Sequence, residues 1–222
     1  MSLAPRTALR AARIATPLRS AIAVRAAHTF AVPTSPRTLA PRRPQIQFKM
    51  ASSTASLTTA AEVKAGSPVP SVSIRIGDMN STIDFAGLKG KNVIVTVPGA
   101  FTPTCHSQVP GYIELYEQFK GKGVNEIYIV SVNDLFVVNA WKKDLLSQAG
   151  LEPNESVKFA GDDKGELTHA LGIVLDATGG LGNLRSKRSV IVIEDGKVVS
   201  IKVEPDSGKS TVTQADDLIK TL

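Results

Sequence analysis

The sequence predicts an α/β fold, a mixed central sheet flanked by helices. Three observations carry the prediction. A β-branched run over 93–97, a helical apolar period from Cys105 onward and a second apolar run over 124–134 form a strand–helix–strand unit, whose strands pair in parallel. Residues 135–150 then repeat the helical pattern. Asp195-Gly196, set between β-branched runs, is a two-residue hairpin turn, so another part of the sheet is antiparallel.

Each element has its own reason. In "SVSIRIGD" (71–78), Val72, Ile74 and Ile76 alternate, which predicts one half-buried strand. The run 93–97 is continuously β-branched, as a strand buried on both faces requires. After Cys105, the spacing of Val109, Ile113, Tyr116 and Phe119 is helical, with Gly121 and Gly123 as stop signals. The strand 124–134 is followed by a helix that stops at Gly150. "VKFAGDDKGELTHALGI" predicts a short strand, a turn at 161–163 and a short helix. Residues 189–204 are the hairpin, and "TVTQADDLIKTL" closes the chain as a helix with Thr213 as N-cap. This order is compatible with a thioredoxin-like core. "DATGGLGNLR" (176–185) reads as a flexible loop. It has neither Gly-Lys-Ser/Thr nor a strand–helix frame, so it is no nucleotide loop.

The net charge of +6 is unevenly placed. Residues 1–61 hold eight Arg, one Lys and no acid, leaving 17 basic against 20 acidic side chains, a charge of −3, in 62–222. The folded part therefore offers no phosphate-binding surface, and no segment approaches the apolar length of a membrane span. Neither nucleic acid nor membrane is an expected partner. Arg6, Arg10, Arg13, Arg19 and Arg25 lie among Ala, Leu and Ile with no acid between them, the composition of a mitochondrial transit peptide. Residues 1–50 are read as transit peptide and linker and 51–66 as further linker. The mature protein is expected in the mitochondrial matrix, and a start at Met50 would give a cytosolic form.

Cys105 is the single cysteine. It excludes an intrachain disulfide and a CxxC dithiol mechanism. Most lone cysteines are small buried hydrophobes, but this one has a particular setting. The 93–97 strand delivers the chain to Pro98, Pro103 blocks helix before it, and Thr104 then has N-cap chemistry. Cys105 falls in the first helical turn, where unpaired N–H groups and the positive dipole end stabilise a thiolate, the nucleophilic form. His106 and His169 have no base or ligand spacing to Cys105 and read as surface or partly packed. No metal site is expected.

"VPGAFTPTC" resembles the active-site segment of peroxiredoxins, specifically the class-five group, called type II in plants. The Pro-x-x-x-Thr-x-x-Cys pattern is met by Pro98, Thr102 and Cys105, and the similarity runs over 67–222, through "GSPVPSV", "AWKKDL", "FAGDDKGE" and "RSKRSVIVIEDGKVV". The family's arginine before a strand matches Arg188. Arg185 and Lys187 read as solvated charges. The resemblance implies a thioredoxin-like fold and a thiol-dependent peroxidase acting on hydrogen peroxide and alkyl hydroperoxides. Cys105 would become a sulfenic acid, Arg188 would hold its charge, and Thr102 would position the oxygens. Backbone N–H groups of Thr104 and Cys105 would take up developing charge, and Pro98 would shield the sulfur. It also implies a homodimer formed through loops near the site. Trp141 reads as core, and Phe101 as core or interface.

Two departures stand out. The C-terminal stretch lacks the resolving cysteine of many members, with Val212 near its place, so the enzyme is expected to be one-Cys. It would need no cofactor, only an external thiol: glutathione with glutaredoxin, or thioredoxin. "CHSQVPGY" also has one residue fewer between Cys105 and Pro110 than many members and lacks their histidine in that turn. The alternative function is a redox sensor or relay that passes oxidation to partner proteins.

Overall fold

The β-branched run lies in β3 (Lys91–Val97), an interior strand of a seven-stranded sheet. The computed structural model describes residues 59–150 and 157–222, all within the second of two compact units, 53–222. The expected transit peptide and Met50 lie outside the described residues. Around β3 the sheet contains β1 (Ser73–Ile76), β2 (Asp78–Asp84), β4 (Val124–Ser131), β5 (Val157–Gly161), β8 (Ser189–Glu194) and β9 (Lys197–Val203). Its order is β2-β1-β5-β4-β3-β8-β9. β3, β4 and β5 pair in parallel, and the other pairings are antiparallel. This is the expected mixed sheet.

Both faces of β3 are covered. Val93, Val95 and Val97 enter one core with α1 (Pro103–Glu114), α2 (Tyr116–Gly121), α3 (Leu135–Gln148) and α6 (Ala215–Ile219). Ile94 faces the other, with Phe85 and with Leu167 of α4 (Glu166–Ala170). Full burial of such a side chain is worth roughly 1.5–3 kcal/mol, so a polar residue in β3 must be bonded. Thr96 is: its Oγ1 donates to the Lys187 carbonyl at 2.9 Å and lies 2.6 Å from Ser189 Oγ.

The Asp195-Gly196 turn has positive φ at both residues, 46° and 75°, as a type I′ hairpin requires. A Cβ on Gly196 would also meet the Ala86 carbonyl oxygen at 2.6 Å.

Several expectations are corrected. The single strand over 71–78 is a hairpin, because Gly77 takes positive φ and hands the chain to β2. β2 is a polar edge strand with no apolar alternation to reveal it. The supposed flexible loop 176–185 is ordered: β6 (Val174–Asp176) pairs with β7 (Leu184–Ser186) across α5 (Thr178–Leu181). The long helix after Cys105 breaks at Leu115. Gln214 takes the N-cap position of α6, without a side-chain cap bond, while the side chain of Thr213 turns inward and is fully buried.

Candidate active site

The loop leaving β3 is clamped from below. Pro98 and Gly99 are buried. Asn133 Oδ1 accepts from the Ala100 N–H at 3.0 Å and from Arg185 Nη1 at 3.2 Å. Arg185 also donates to the carbonyls of Val132, at 3.0 Å, and Pro98, at 3.5 Å. Arg185 is therefore a clamp and not the solvated charge expected, and its burial pulls its pKa below the usual arginine value. Phe101, the residue after clamped Ala100, has φ 61°, the left-handed region that costs a non-glycine residue energy. The next residue, Thr102, donates its hydroxyl hydrogen to the Gly99 carbonyl at 3.0 Å.

The helix starts earlier than expected. Thr102 (φ −69°, ψ 146°) is the N-cap position, Pro103 is N1, and Thr104 is inside. Proline opens this helix because its φ already fits and its missing N–H needs no partner in the first turn. The Thr104 hydroxyl does not cap; it donates to the Gly208 carbonyl at 2.9 Å. Cys105 is the third helical residue, still among the N–H groups without intrahelical partners. The buried stripe of α1 is Cys105, Gln108, Val109, Tyr112 and Ile113, the i, i+3, i+4 pattern of one helix face. That stripe puts Gln108 one turn beyond Cys105 on the same side.

Arg188 meets both. It is 1% exposed, and Cys105 is fully buried. Arg188 Nη2 donates to Cys105 Sγ at 3.4 Å and Nη1 to Gln108 Oε1 at 2.5 Å. Nε and Nη2 both donate to the Ser207 carbonyl, at 3.2 and 3.1 Å. Among the described residues no carboxylate bonds this buried guanidinium. Gln108 is held in turn: its Nε2 donates to Thr213 O and Oγ1 at 2.7 and 2.8 Å. Thr213 Oγ1 donates to Glu204 Oε1 at 2.9 Å. Burial raises the Glu204 pKa, but hydrogen bonds from Thr211, Val212 and Thr213 outweigh it and hold the carboxyl below its usual value. A chain of hydrogen bonds thus runs from Glu204 through Thr213 and Gln108 to Arg188.

The sequence reading missed Gln108, Ser207, Thr213 and Glu204 at this site. Gln108 alone left a signal: a polar residue on the apolar stripe of α1. His106 is more than a partly packed surface residue, because Trp141 Nε1 donates to its Nδ1 at 3.1 Å. His169 is remote from Cys105, its Nδ1 lying 2.9 Å from Thr59 Oγ1. Lys187 faces Glu62 at 3.4 Å. Trp141 is fully buried, as core, and Phe101 is 48% exposed.

The family model for Redoxin matches residues 64–219. "Peroxisomal membrane associated protein 20" of Schizosaccharomyces pombe is 44% identical over 162 residues, 72% of this chain and 99% of its own length. "Peroxiredoxin-2B" of Arabidopsis thaliana is 44% identical over 169 residues, 73% of this chain and 99% of its own. The chain belongs to the peroxiredoxin family. Reduced Prx3 from Vibrio vulnificus has the same fold, with TM-score 0.63 and 32% identity over 72% of this chain and 97% of that one. As a peroxiredoxin, the chain is a thiol peroxidase with a thioredoxin-like fold, taking peroxides as substrates and thiols as reductants.

Proposed function

We propose that Cys105 is the peroxidatic residue of a one-Cys cycle acting on hydrogen peroxide and alkyl hydroperoxides. The observation that carries this reading is the buried Arg188 guanidinium, 3.4 Å from Sγ and, among the described residues, with no bonded carboxylate. Arginine keeps its proton, and a buried charge without a counter-charge is costly. The thiolate supplies the counter-charge, aided by the positive end of α1.

Sγ attacks the terminal oxygen of ROOH. The S–O bond forms as the O–O bond breaks; RO⁻ departs and takes up one proton, equal to the one the thiol released on ionising, to become ROH, so sulfur is oxidised to the sulfenic acid and the peroxide is reduced. Arg188 stabilises charge on sulfur and on the departing oxygen. The Thr102 oxygen keeps lone pairs to accept from the peroxide while its hydrogen goes to Gly99. The Thr104 and Cys105 N–H groups take up developing negative charge. Pro98, locked in φ, limits the approach of water to the sulfur.

With no second cysteine in 222 residues, the sulfenic acid is reduced from outside. One thiol, from glutathione with glutaredoxin or from thioredoxin, attacks Sγ, forms a mixed disulfide and releases water. A second thiol displaces Cys105 and leaves as part of a disulfide. No metal or organic cofactor enters this cycle. We also propose a mitochondrial address, supported by the Arg-rich leader, and a homodimer, supported by exposed Phe101 and Leu181 beside the active-site loop. The test is peroxide consumption by wild type and Cys105→Ser, with the glutathione/glutaredoxin and thioredoxin systems side by side. The serine variant is expected to consume none; turnover retained without this sulfur contradicts the assignment.

A further inference from the structure

Reduction of the sulfenic acid by an outside thiol poses a problem of access. Cys105 is fully buried, and attack on Sγ requires the first turn of α1 to move. One part of its restraint is already missing: Pro110, inside the helix, has no N–H to give to the His106 carbonyl. The backbone bond from the His106 N–H to the Thr102 carbonyl, 2.8 Å, remains, and side chains add to it. On the Arg188 side the ties are buried and charged. On the α3 side the tie is His106.

The geometry assigns the tautomer of His106. The indole N–H of Trp141 only donates, so Nδ1, 3.1 Å away, accepts. Nε2 then carries the hydrogen and donates to Gln148 Oε1 at 3.1 Å. The two anchors differ. Trp141 is fully buried and edge-on to Phe159, centroids 5.7 Å apart. Gln148 lies at the exposed end of α3 and is tied to Asp144, whose carboxylate faces Nε2 at 3.9 Å.

We propose that His106 is a positioning residue of the thiol cycle: by accepting from Trp141 it latches the first turn of α1 shut, favouring the buried, peroxide-reactive Cys105 over an opened form that outside thiols reach. The inference rests on the cycle proposed above. The peroxide step uses the closed turn, with Sγ against Arg188. The reduction step uses the open one, in which the thiol sulfur bonds Sγ and water leaves. Weakening the latch should move the two steps in opposite directions, which a loss of general stability does not do.

The test measures each half-reaction by stopped flow, with hydrogen peroxide and then glutathione, in the full chain. His106→Leu should speed reduction of the sulfenic acid roughly fivefold, the size of one lost hydrogen bond, and slow oxidation by a smaller factor, because the closed form stays the major one. His106→Asn keeps an acceptor near the Nδ1 position and should stay close to wild type. Fluorescence of Trp141, the single tryptophan, should shift in the leucine variant and much less in the asparagine one. Alkylation of Cys105 by a maleimide reads access without any peroxide and should also rise roughly fivefold in His106→Leu. If that variant does not fold, Trp141→Phe removes the donor but keeps a ring, and should give the same gain in alkylation. Half-reactions that move together, unchanged alkylation, or an asparagine variant that behaves like leucine overturns the latch. A chain inert to peroxide whose alkylation still responds ends the peroxidase cycle and keeps the latch.

Discussion

The two sides of the first turn of α1 are held by different physics. Toward β8, Cys105 meets Arg188, which is buried, charged and bonded through Gln108 to Thr213 and Glu204. Toward α3, His106 meets buried Trp141 and exposed Gln148 through neutral bonds. The buried side is strong because charge in a low-dielectric interior interacts strongly and is costly to leave unpaired. The α3 side is worth about as much as ordinary hydrogen bonds, each roughly 1 kcal/mol net. One side suits setting the reactivity of the sulfur, the other setting how often the turn opens.

That contrast can be broken at its middle. Gln108→Leu keeps the stripe apolar but leaves Arg188 Nη1 without its partner, while Thr213 keeps Glu204 and Ser210. A buried group left unsatisfied costs about 1–3 kcal/mol, so this variant should lose roughly tenfold or more in the rate of Cys105 with hydrogen peroxide, read by stopped flow, and should unfold at lower urea. Wild-type rate in Gln108→Leu would mean the relay does not support Arg188.

Glu204→Gln probes the far end of the same chain, with a smaller effect on rate and a distinct dependence on pH. The carboxyl is held below its ordinary value of 4.5, so its stabilising contribution is present above that value and is lost as pH falls through the lower, folded-state value. The melting temperature of Glu204→Gln should therefore lie furthest below wild type at neutral pH, with the gap narrowing as the medium becomes more acid than pH 4.5. A gap constant across that range would show that the carboxylate charge is not what holds residues 211–213.

The smallest effect belongs to the loop. Phe101→Gly relieves the left-handed backbone, worth roughly 1–2 kcal/mol, while giving up a half-exposed ring 6.5 Å from Trp141. The two should nearly cancel, leaving thermal stability within a few degrees of wild type. A large fall would make Phe101 a packing residue rather than a strained one.

Legibility in the sequence followed the range of the interaction. β3 announced itself because both its faces are buried, which leaves a continuous β-branched run. The Asp195-Gly196 turn did so because its backbone needs two positive φ values. β2 did not, since a solvent-facing edge strand carries no alternating pattern. Pro103 is ambiguous by nature, ending one helix or opening another, and the choice depends on what holds Thr102 and Thr104. Arg188 was visible through the family resemblance, which places an arginine before a strand, yet its setting was not, because Gln108 and Arg188 lie 80 residues apart and Gln108 and Thr213 lie 105 apart. Arg185 read as solvated because Pro98, Val132 and Asn133, whose oxygens clamp it, are brought to it only by the fold.

The most direct test of the account is the single-turnover rate of Cys105 with hydrogen peroxide in Arg188→Ala against wild type, with folding checked by circular dichroism. Removing one preorganised donor from a buried reacting centre costs about a hundred- to a thousandfold, and a loss of that order is the predicted result. A folded Arg188→Ala protein reacting within twofold of wild type would contradict the claim that this buried cation activates the sulfur.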